Sequence, residues 1–242
     1  MGYTAALCVL VLIVSQSVII PTFFMPFFRW HYNRVDANGL DIAEEIGISH
    51  DDLMRVTHEL LDYMRGRRDS LEGITAEVAG RNERASRVYG ENFFSATEIR
   101  HMMDVRILYD QLFIVRNVAF FLLIALMLGM ILIKERPLFL LSRCSREVLV
   151  GFLALMLIMA GVIAIDFDRS WDIFHYIFFR GEAANYWRLT PFVDLMINMF
   201  PLRFFINISI FVAGLITIFS AAVVACATFY LRQDRLPGFS KP

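Results

Sequence analysis

Residues 148–165 read VLVGFLALMLIMAGVIAI, eighteen consecutive positions without a charged side chain. An apolar run of this length can cross the ~30 Å hydrocarbon core of a bilayer, a distance covered by about 20 helical residues. Inside lipid no water competes for the backbone hydrogen bonds, and a helix satisfies all of them within one segment. The stretch therefore predicts a membrane-spanning helix.

Three further apolar runs have the same character, and they fall within residues 1–28, 112–133 and 206–230. The first run lacks a basic start and a small-x-small cleavage site before Pro21, so we expect an anchor that is retained and not a signal peptide that is removed. The fold class that follows is an all-α membrane protein with four transmembrane helices.

The composition of the whole chain agrees with this fold class. Of 242 residues, 57% are hydrophobic and only 19% are charged, with a mean hydropathy of +0.56. Soluble domains carry ~25% charged residues, so a plain globular enzyme is excluded. The net charge of −1 provides no basic field for nucleic acid. The three cysteines indicate no disulfide framework.

The segments between the spans differ in charge, and this difference predicts the orientation. Residues 134–147 hold four basic and two acidic residues, and residues 231–242 hold three basic residues and one acidic residue. Residues 29–111 instead hold 11 arginines and 16 acidic residues, and residues 166–205 hold four arginines and five acidic residues. Because cytosolic loops carry the excess of lysine and arginine, we expect both termini and residues 134–147 in the cytosol. Any chemistry then belongs to the two outward segments.

Residues 29–111 are expected to form a small helical cap after the first span. Ser49 followed by Asp52 approximates a capping box, apolar residues then recur at helical spacing, and Gly66 offers a left-handed stop, which together predict a helix over residues 50–65. A second capping box, at Ser95 and Glu98, predicts a helix that runs straight into the second span. Residues 67–94 are expected to hold a shorter helix flanked by turns.

The other outward segment, residues 166–205, is dense in aromatic rings. Eleven fall within residues 171–205, where the overall aromatic content of 14% predicts about five. Such enrichment is typical of an aromatic belt with a re-entrant or interfacial helix. A ring-lined vestibule at the lipid surface also suits a substrate with acyl chains. Asp194 and Arg203 lie among these apolar residues, where charges are more often functional or paired than idle.

Two of the five histidines are candidates for chemistry. His101 lies 11 residues before the second span and His175 lies 10 residues after the third. If both connecting segments are helical, these histidines stand ~16 and ~15 Å from the hydrocarbon edge, at matching heights. The alternative is two unrelated interfacial histidines. For His31, beside Trp30 and Tyr32, we expect an interfacial aromatic anchor. His50 and His58 fall at the start and on the polar side of the first cap helix.

Acidic residues flank His101 at helical spacing. Glu98 and Asp104 lie three residues before and after it, so either carboxylate can hold the imidazole in one tautomer and raise its basicity. The same residues, with Asp172 and His175, are an alternative metal-ligand set. The sequence holds no G-x-S-x-G, P-loop, H-E-x-x-H or C-x-x-C motif, so a covalent nucleophile is not indicated.

Several strings, taken in order, resemble the bacterial lipoprotein intramolecular transacylase family. They are ISHDDLMRVTHELLDYMRG at residues 48–66, FSATEIRHMMDV at 94–105, FHYIFF at 174–179, NYW at 185–187 and DLMI at 194–197. One departure is FPLRFF at residues 200–205, because relatives are expected to carry an acidic residue after the proline. This departure argues against assigning a role to Arg203.

The resemblance implies a reaction. Members move the sn-2 acyl chain of a diacylglyceryl-modified N-terminal cysteine onto the α-amino group of that cysteine, which gives a lyso-form lipoprotein. It implies a multi-pass enzyme of the bacterial cell membrane, with no cofactor or metal, whose partners are a diacylated lipoprotein and membrane lipids. We expect a monomer with His101 and His175 as the catalytic acid and base. The residues expected to bind or orient the substrate are Glu98, Asp104, Arg106, Trp187 and Asp194.

Two other classes of function stay open from the residues alone. One is a metal-dependent membrane hydrolase or protease that uses the same carboxylates and histidines. The other is a membrane accessory protein without enzymatic activity, whose cap binds a partner and whose histidines are structural. Transport is disfavoured, because the spans carry almost no ionisable residue at mid-depth.

Overall fold

The computed structural model describes residues 1–35, 39–76, 92–178 and 194–234, without the side chains of His175 and Phe178. These described residues form nine helices and no strand, which confirms the predicted all-α fold. The helices are α1 Gly2–Thr22, α2 Met25–Tyr32, α3 Ile42–Ile46, α4 His50–Met64, α5 Ala96–Leu132, α6 Pro137–Ile165, α7 Phe167–Phe178, α8 Leu195–Met199 and α9 Leu202–Gln233.

Four of these helices are long and apolar enough to cross a membrane. They are α1, α5, α6 and α9, with 21, 37, 29 and 32 residues. At ~1.5 Å per residue even the shortest covers the ~30 Å of a hydrocarbon core. Large apolar side chains point away from the protein along them, among them Ile165, which is 87% exposed, and Leu157, which is 76% exposed. Lipid is the solvent that suits such surfaces, and the four predicted spans are present.

The ends of these helices differ from the boundaries expected from hydropathy, and prolines explain two of the differences. The first apolar run is divided, because α1 ends at Thr22 and α2 begins at Met25 with Pro26 in its first turn. Pro137 likewise begins α6, so most of residues 134–147 is helix and not loop. Proline lacks an N–H group and has its φ angle fixed near the helical value, and both properties suit the first turn of a helix.

The helix α5 joins a cap segment to a span without interruption. At its start the Ser95 Oγ atom accepts the Glu98 N–H at 3.2 Å, and Glu98 Oε2 accepts the Ser95 N–H at 2.6 Å. The predicted capping box is therefore present. The helix has 37 residues, or ~55 Å, so ~25 Å of it extends beyond a ~30 Å hydrocarbon core.

The chain divides into two compact units. The membrane unit comprises Met1–Ile20, Gln111–Ser170 and the described residues from Ile210 onward, and the cap unit comprises the described residues of Pro21–Asp110 and of Trp171–Ser209. In the membrane unit, the Tyr3 hydroxyl donates to Glu147 Oε2 at 2.6 Å, which ties α1 to α6. Gly2 permits this approach, because a Cβ atom at that position would lie 2.8 Å from the Cys144 sulfur.

The cap unit is organised around α4, whose predicted helix is confirmed. Ser49 Oγ accepts the Asp52 N–H at 3.0 Å at the start of the helix, and Gly66 follows its end with a φ of +72°. One face of α4 is buried, through Leu53, Val56, Thr57, Leu60, Leu61, Tyr63 and Met64. Of residues 67–94, the described parts, 67–76 and 92–94, contain no helix, and the remainder of that predicted helix lies outside the described residues.

Candidate active site

His101 lies in the second turn of α5, within the cap unit. Its side chain is half-buried and its Nδ1 atom is shielded from solvent. Because α5 is continuous, His101 keeps the height of ~16 Å above residue 112 that the sequence predicts. A half-buried imidazole on a rigid helix is suited to general acid or base chemistry.

Glu98 lies one turn before His101 and is only 1% exposed. Its Oε1 atom accepts the backbone N–H of Met196 at 2.6 Å, and its Oε2 atom accepts the backbone N–H of Ser95 at 2.6 Å. In the part of the chain that the structure describes, both carboxylate oxygens are thus bonded to main-chain donors and neither is bonded to His101. The carboxylate joins the start of α5 to α8.

Asp104 lies one turn after His101 and is half-buried. Its carboxylate forms no hydrogen bond or ion pair with any other residue that the structure describes. Of the two carboxylates that the sequence places beside His101, the Asp104 carboxylate is therefore the one not already bonded to the main chain.

Arg106 braces α5 against the end of α4. Its Nη1 atom donates to the backbone carbonyl of Arg68 at 3.2 Å, and its guanidinium lies 4.7 Å from the centroid of the Tyr63 ring. A planar cation stacked on a ring in this way is worth ~0.5 to 2 kcal/mol. The observed contacts of Arg106 are thus with the protein itself.

Asp194 stands at the start of α8 and is buried, with 7% of its surface exposed. Its Oδ1 atom accepts a hydrogen bond from the Ser95 hydroxyl at 3.2 Å. Ser95 thereby connects two buried acids, since its Oγ atom also accepts the N–H of Glu98. Asp194, Glu98 and the start of α8 form one buried polar cluster beside the turn that carries His101.

The backbone of His175 lies in α7, and its side chain lies outside the described residues, as does the whole of Trp187. α6 ends at Ile165, and Asp166 between α6 and α7 has extended backbone angles, with φ −152° and ψ 92°. Equal heights for the two histidines require an unbroken helix through Asp166, so only the height predicted for His101 is retained. Both histidines nevertheless belong to the cap unit. Within that unit Trp171 of α7 packs on Phe205 of α9, with ring centroids 4.6 Å apart.

The remaining histidines are sorted by burial. His58 is exposed on the polar side of α4, as predicted, with its Nδ1 atom 3.4 Å from Asp62 Oδ2. His31 differs from the expected interfacial anchor, because it is fully buried while its neighbour Trp30 is 48% exposed. The spacing of Phe27, Phe28, His31 and Tyr32 along α2 is the sequence signal for this buried face.

The buried His31 and the half-buried Arg203 are polar groups that the sequence did not single out as a pair. Among the described residues, neither ring nitrogen of His31 has a hydrogen-bond partner, and the same holds for the Nε atom of Arg203. Burial, together with the nearby charges of Arg203 and Arg34, lowers the pKa of His31 from 6.5 to about 4. His31 is therefore a neutral member of the cap core near neutral pH.

The described residues contain no group of three histidine, cysteine, aspartate or glutamate side chains arranged to hold a metal ion. The alternative ligand set from the sequence includes His175, whose side chain is outside that description. The described site therefore offers the imidazole of His101, the Asp104 carboxylate, and the buried acids Glu98 and Asp194 with their hydrogen-bond donors.

The chain is similar to proteins of one known family, both in sequence and in fold. Residues 3–205 match the family model described as lipoprotein intramolecular transacylase Lit. The fold is similar to the in meso structure of the membrane integral lipoprotein intramolecular transacylase Lit from Bacillus cereus, with a TM-score of 0.68, 15% identity and coverage of 97% of this chain and 95% of that one. A structure of the same protein with a histidine-to-arginine mutation gives 0.66 and 16%, with 97% and 92% covered.

A third structure of the Bacillus cereus protein, with a histidine-to-alanine mutation, has a TM-score of 0.64 at 17% identity, over 97% of this chain and 93% of that one. No curated protein matches the sequence. At these identities the solved structures show a shared fold, and the family model supplies the relationship by sequence. Because that model covers residues 3–205 of 242, the chain belongs to the lipoprotein intramolecular transacylase family and is an acyltransferase.

Proposed function

We propose that the protein moves the sn-2 acyl chain of a diacylglyceryl-modified lipoprotein cysteine onto the α-amino group of that same cysteine. The amine nitrogen attacks the ester carbonyl, a C–N amide bond forms and the C–O ester bond breaks. One amine proton ends on the glycerol oxygen, so the products are an N-acylated cysteine and a free glycerol hydroxyl. Nothing else is consumed, and no cofactor or metal takes part.

The observation that carries the proposal is that His101 and His175, 74 residues apart in sequence, fall in the same compact unit of a chain that matches the family over residues 3–205. Two imidazoles in one unit supply the two proton-transfer groups that the reaction needs. The cap unit also holds the described part of the aromatic segment, whose rings suit a substrate with acyl chains.

His101 is proposed as the general base, with Asp104 as the carboxylate that orients it. An α-amine has a pKa of ~7.7 to 8.0, so near neutral pH much of it is protonated and cannot attack. Removal of its proton by His101, and donation of a proton to the departing oxygen by His175, are each worth ~10² to 10⁴ in rate.

Positioning supplies much of the remaining acceleration in this proposal. Amine and ester belong to one molecule, and the attack closes an eight-membered ring, so an acyl-enzyme and a protein nucleophile are unnecessary. Holding such groups in a near-attack geometry contributes up to ~7 to 11 kcal/mol. Trp187, Asp194 and Arg106 are proposed to bind or orient the substrate, directly or through the packing of the cap.

The test uses purified protein in detergent with a synthetic diacylated lipopeptide. Because the transfer is intramolecular, the mass of the lipopeptide stays the same, and fragmentation in the mass spectrometer locates the acyl chain on nitrogen or oxygen. We expect His101→Asn and His175→Asn each to slow N-acylation by at least 100-fold, while His58→Asn, an exposed histidine of the same unit, keeps the wild-type rate. N-acylation that persists undiminished in either of the first two variants removes that residue from the mechanism.

The same assay separates the competing classes. A hydrolase would release a fatty acid and lower the mass of the lipopeptide by one acyl chain. An accessory protein would leave the lipopeptide unchanged unless another protein were added. Either result contradicts the proposed transfer.

The proposed orientation has the termini and residues 134–147 in the cytosol and the cap unit outside, with the protein acting as a monomer. Single cysteines at exposed positions of a cysteine-free variant test the topology. An impermeant thiol reagent added to intact cells is expected to label Asp51→Cys in the cap and to spare Glu135→Cys in the short loop before α6. The reverse labelling pattern would invert the orientation.

A further inference from the structure

A buried polar cluster ties the catalytic helix α5 to α8. It consists of Ser95, Glu98, Asp194 and the N–H group of Met196, and it is closed by four hydrogen bonds of 2.6 to 3.2 Å. Glu98, Asp194 and Met196 are at most 7% exposed. A buried carboxylate is costly to keep in a protein unless its oxygens receive hydrogen bonds. The hydrogen bonds of the Glu98 carboxylate indicate its role.

The two oxygens of Glu98 accept hydrogen bonds from different helix starts. Glu98 sends one oxygen to the N–H of Ser95, which precedes α5, and the other to the N–H of Met196, in the first turn of α8. The two N–H groups are 101 residues apart in sequence, and one carboxylate is shared between them. The Glu98 side chain therefore links the start of the helix that carries His101 to the start of α8.

We propose that Glu98 is a positioning residue for acyl transfer, which acts by clamping the backbone of α8 to the first turn of α5 and not by orienting the imidazole of His101. The inference rests on the proposed function, since His101 is the group being positioned. It differs from the expectation from sequence, in which the i, i+3 spacing paired Glu98 with His101 directly.

Neighbouring contacts show why this clamp affects the site. His101 is three residues after Glu98, so a shift of the first turn of α5 moves the imidazole with it. On the other side, α8 leads directly into the aromatic core, where Phe200 packs on Phe28 with ring centroids 6.3 Å apart. Ser95 adds a second tie between the same two elements through its bond to Asp194. A misplacement of ~1 Å in a reacting group costs up to ~10²-fold in rate.

The decisive substitution is Glu98→Gln, which keeps the shape of the side chain. An amide has one acceptor oxygen and an NH2 group, so one of the two main-chain donors then faces another donor. Glu45→Gln is the matched control, because Glu45 is an exposed acid of α3 in the same unit. Hydrogen exchange of residues 195–199 reports on the clamp whether or not the enzyme is active.

We expect Glu98→Gln to raise exchange in residues 195–199 and to lower kcat/KM by 10- to 100-fold, while Glu45→Gln changes neither. The acidic limb of the profile of kcat/KM against pH should move less in Glu98→Gln than in Asp104→Asn, since both Glu98 oxygens are bonded to main-chain N–H groups. Asp104→Asn should move that limb to lower pH, because in the proposed mechanism the Asp104 carboxylate orients His101 and favours its protonated form. A shift in Glu98→Gln as large as in Asp104→Asn, or unchanged exchange and activity, overturns the proposal.

A second pair of variants tests the clamp if Glu98→Gln fails to fold. Met196→Pro deletes the N–H donor in the first turn of α8, and Met196→Leu keeps it in a side chain of similar size. Only the proline variant should show the loss of activity and the faster exchange in the rest of α8, and equal behaviour of the two variants contradicts the clamp. If wild-type protein fails to N-acylate the lipopeptide while exchange still responds to Glu98→Gln, the proposed function fails and the clamp remains.

Discussion

The imidazole of His31 packs edge to face on the ring of Phe204, with 5.0 Å between the two centroids. Phe27 also stacks on this ring, with centroids 6.4 Å apart, so the ring of His31 takes the place of an aromatic hydrocarbon in the cap core. A charge on that ring would lie in an apolar site near Arg203 and Arg34, which is why the pKa of His31 falls to about 4.

This environment predicts that the cap loses stability in mild acid. The unfolded chain binds a proton on His31 near pH 6.5, whereas the folded chain binds it only near pH 4. Between these values the unfolded state holds more protons, so the free energy of unfolding falls as pH falls, by up to ~1.4 kcal/mol per pH unit. Denaturant unfolding in detergent between pH 4 and 8 measures the slope.

His31→Leu isolates the contribution of this one group. The variant keeps an apolar side chain in the site and removes the titration, so the slope between pH 6.5 and 4 should become shallower, while His58→Gln leaves it as in wild type. An unchanged slope in His31→Leu would mean that other groups produce the acid sensitivity.

A hydrogen bond between α2 and α4 gives a second prediction. The Thr57 hydroxyl donates to the Leu53 carbonyl at 2.8 Å, so the Tyr32 hydroxyl is the donor in its 2.8 Å contact with Thr57 Oγ1. Burial raises the pKa of Tyr32, which keeps this donor protonated. Thr57→Val should cost ~1 to 3 kcal/mol, because it leaves the buried Tyr32 hydroxyl without its acceptor. Tyr32→Phe should cost less, ~0.5 to 1.5 kcal/mol, because the Thr57 hydroxyl keeps its bond to the Leu53 carbonyl.

The double variant is the control for that hydrogen bond. With both hydroxyls gone no donor or acceptor is left unsatisfied at the contact, so the combined loss in the free energy of unfolding should be smaller than the sum of the single losses. Strict additivity would show that the two hydroxyls do not interact.

The end of α4 gives a third prediction. Gly66 has a φ of +72°, a backbone conformation that costs ~1 to 2 kcal/mol for most residues with a Cβ atom. The Cβ atom of an alanine there would lie 3.5 Å from Arg106, an ordinary contact, so the cost is conformational. Gly66→Ala should lower the free energy of unfolding by about that amount, Gly66→Asn should lose less, and Gly151→Ala, in the helix α6, should lose nothing. Equal losses at the two glycines would contradict this account.

Local patterns predict much of this fold. Hydropathy alone locates the four spans, because lipid demands about 20 apolar residues in a row wherever the chain crosses. The capping residues Ser49 and Ser95 locate the starts of α4 and α5, since the bonds that cap a helix form within four residues. The confirmed left-handed stop at Gly66 is local in the same sense.

The parts that the sequence does not reveal depend on contacts between distant residues. The burial of His31 depends on Phe204, 173 residues later, and no spacing within α2 shows that partner. Glu98 has the spacing of a partner for His101, but the N–H of Met196 competes for the same carboxylate. The division of the first apolar run at residues 23–24 is not visible in hydropathy, because the residues on both sides of it are apolar.

Removal of metal ions gives a fourth prediction, because the proposed transfer runs on two imidazoles and an amine. Exhaustive chelation followed by desalting should leave the rate of N-acylation of the lipopeptide unchanged. Recovery of a lost rate on adding back a divalent cation would favour the alternative ligand set of Glu98, Asp104, Asp172 and the two histidines.

Arg106 gives the last prediction, because its two proposed roles have different signatures. As a brace, its planar guanidinium stacks on Tyr63 and bonds the Arg68 carbonyl, and a lysine ammonium reproduces neither geometry. Arg106→Lys should then lower the free energy of unfolding by ~0.5 to 2 kcal/mol with KM unchanged. If Arg106 instead binds the substrate, KM rises and stability stays near wild type. Measuring both quantities on the same preparation distinguishes the two roles, and Tyr63→Leu, which removes only the stacking partner, should reproduce the loss of stability if the brace is correct.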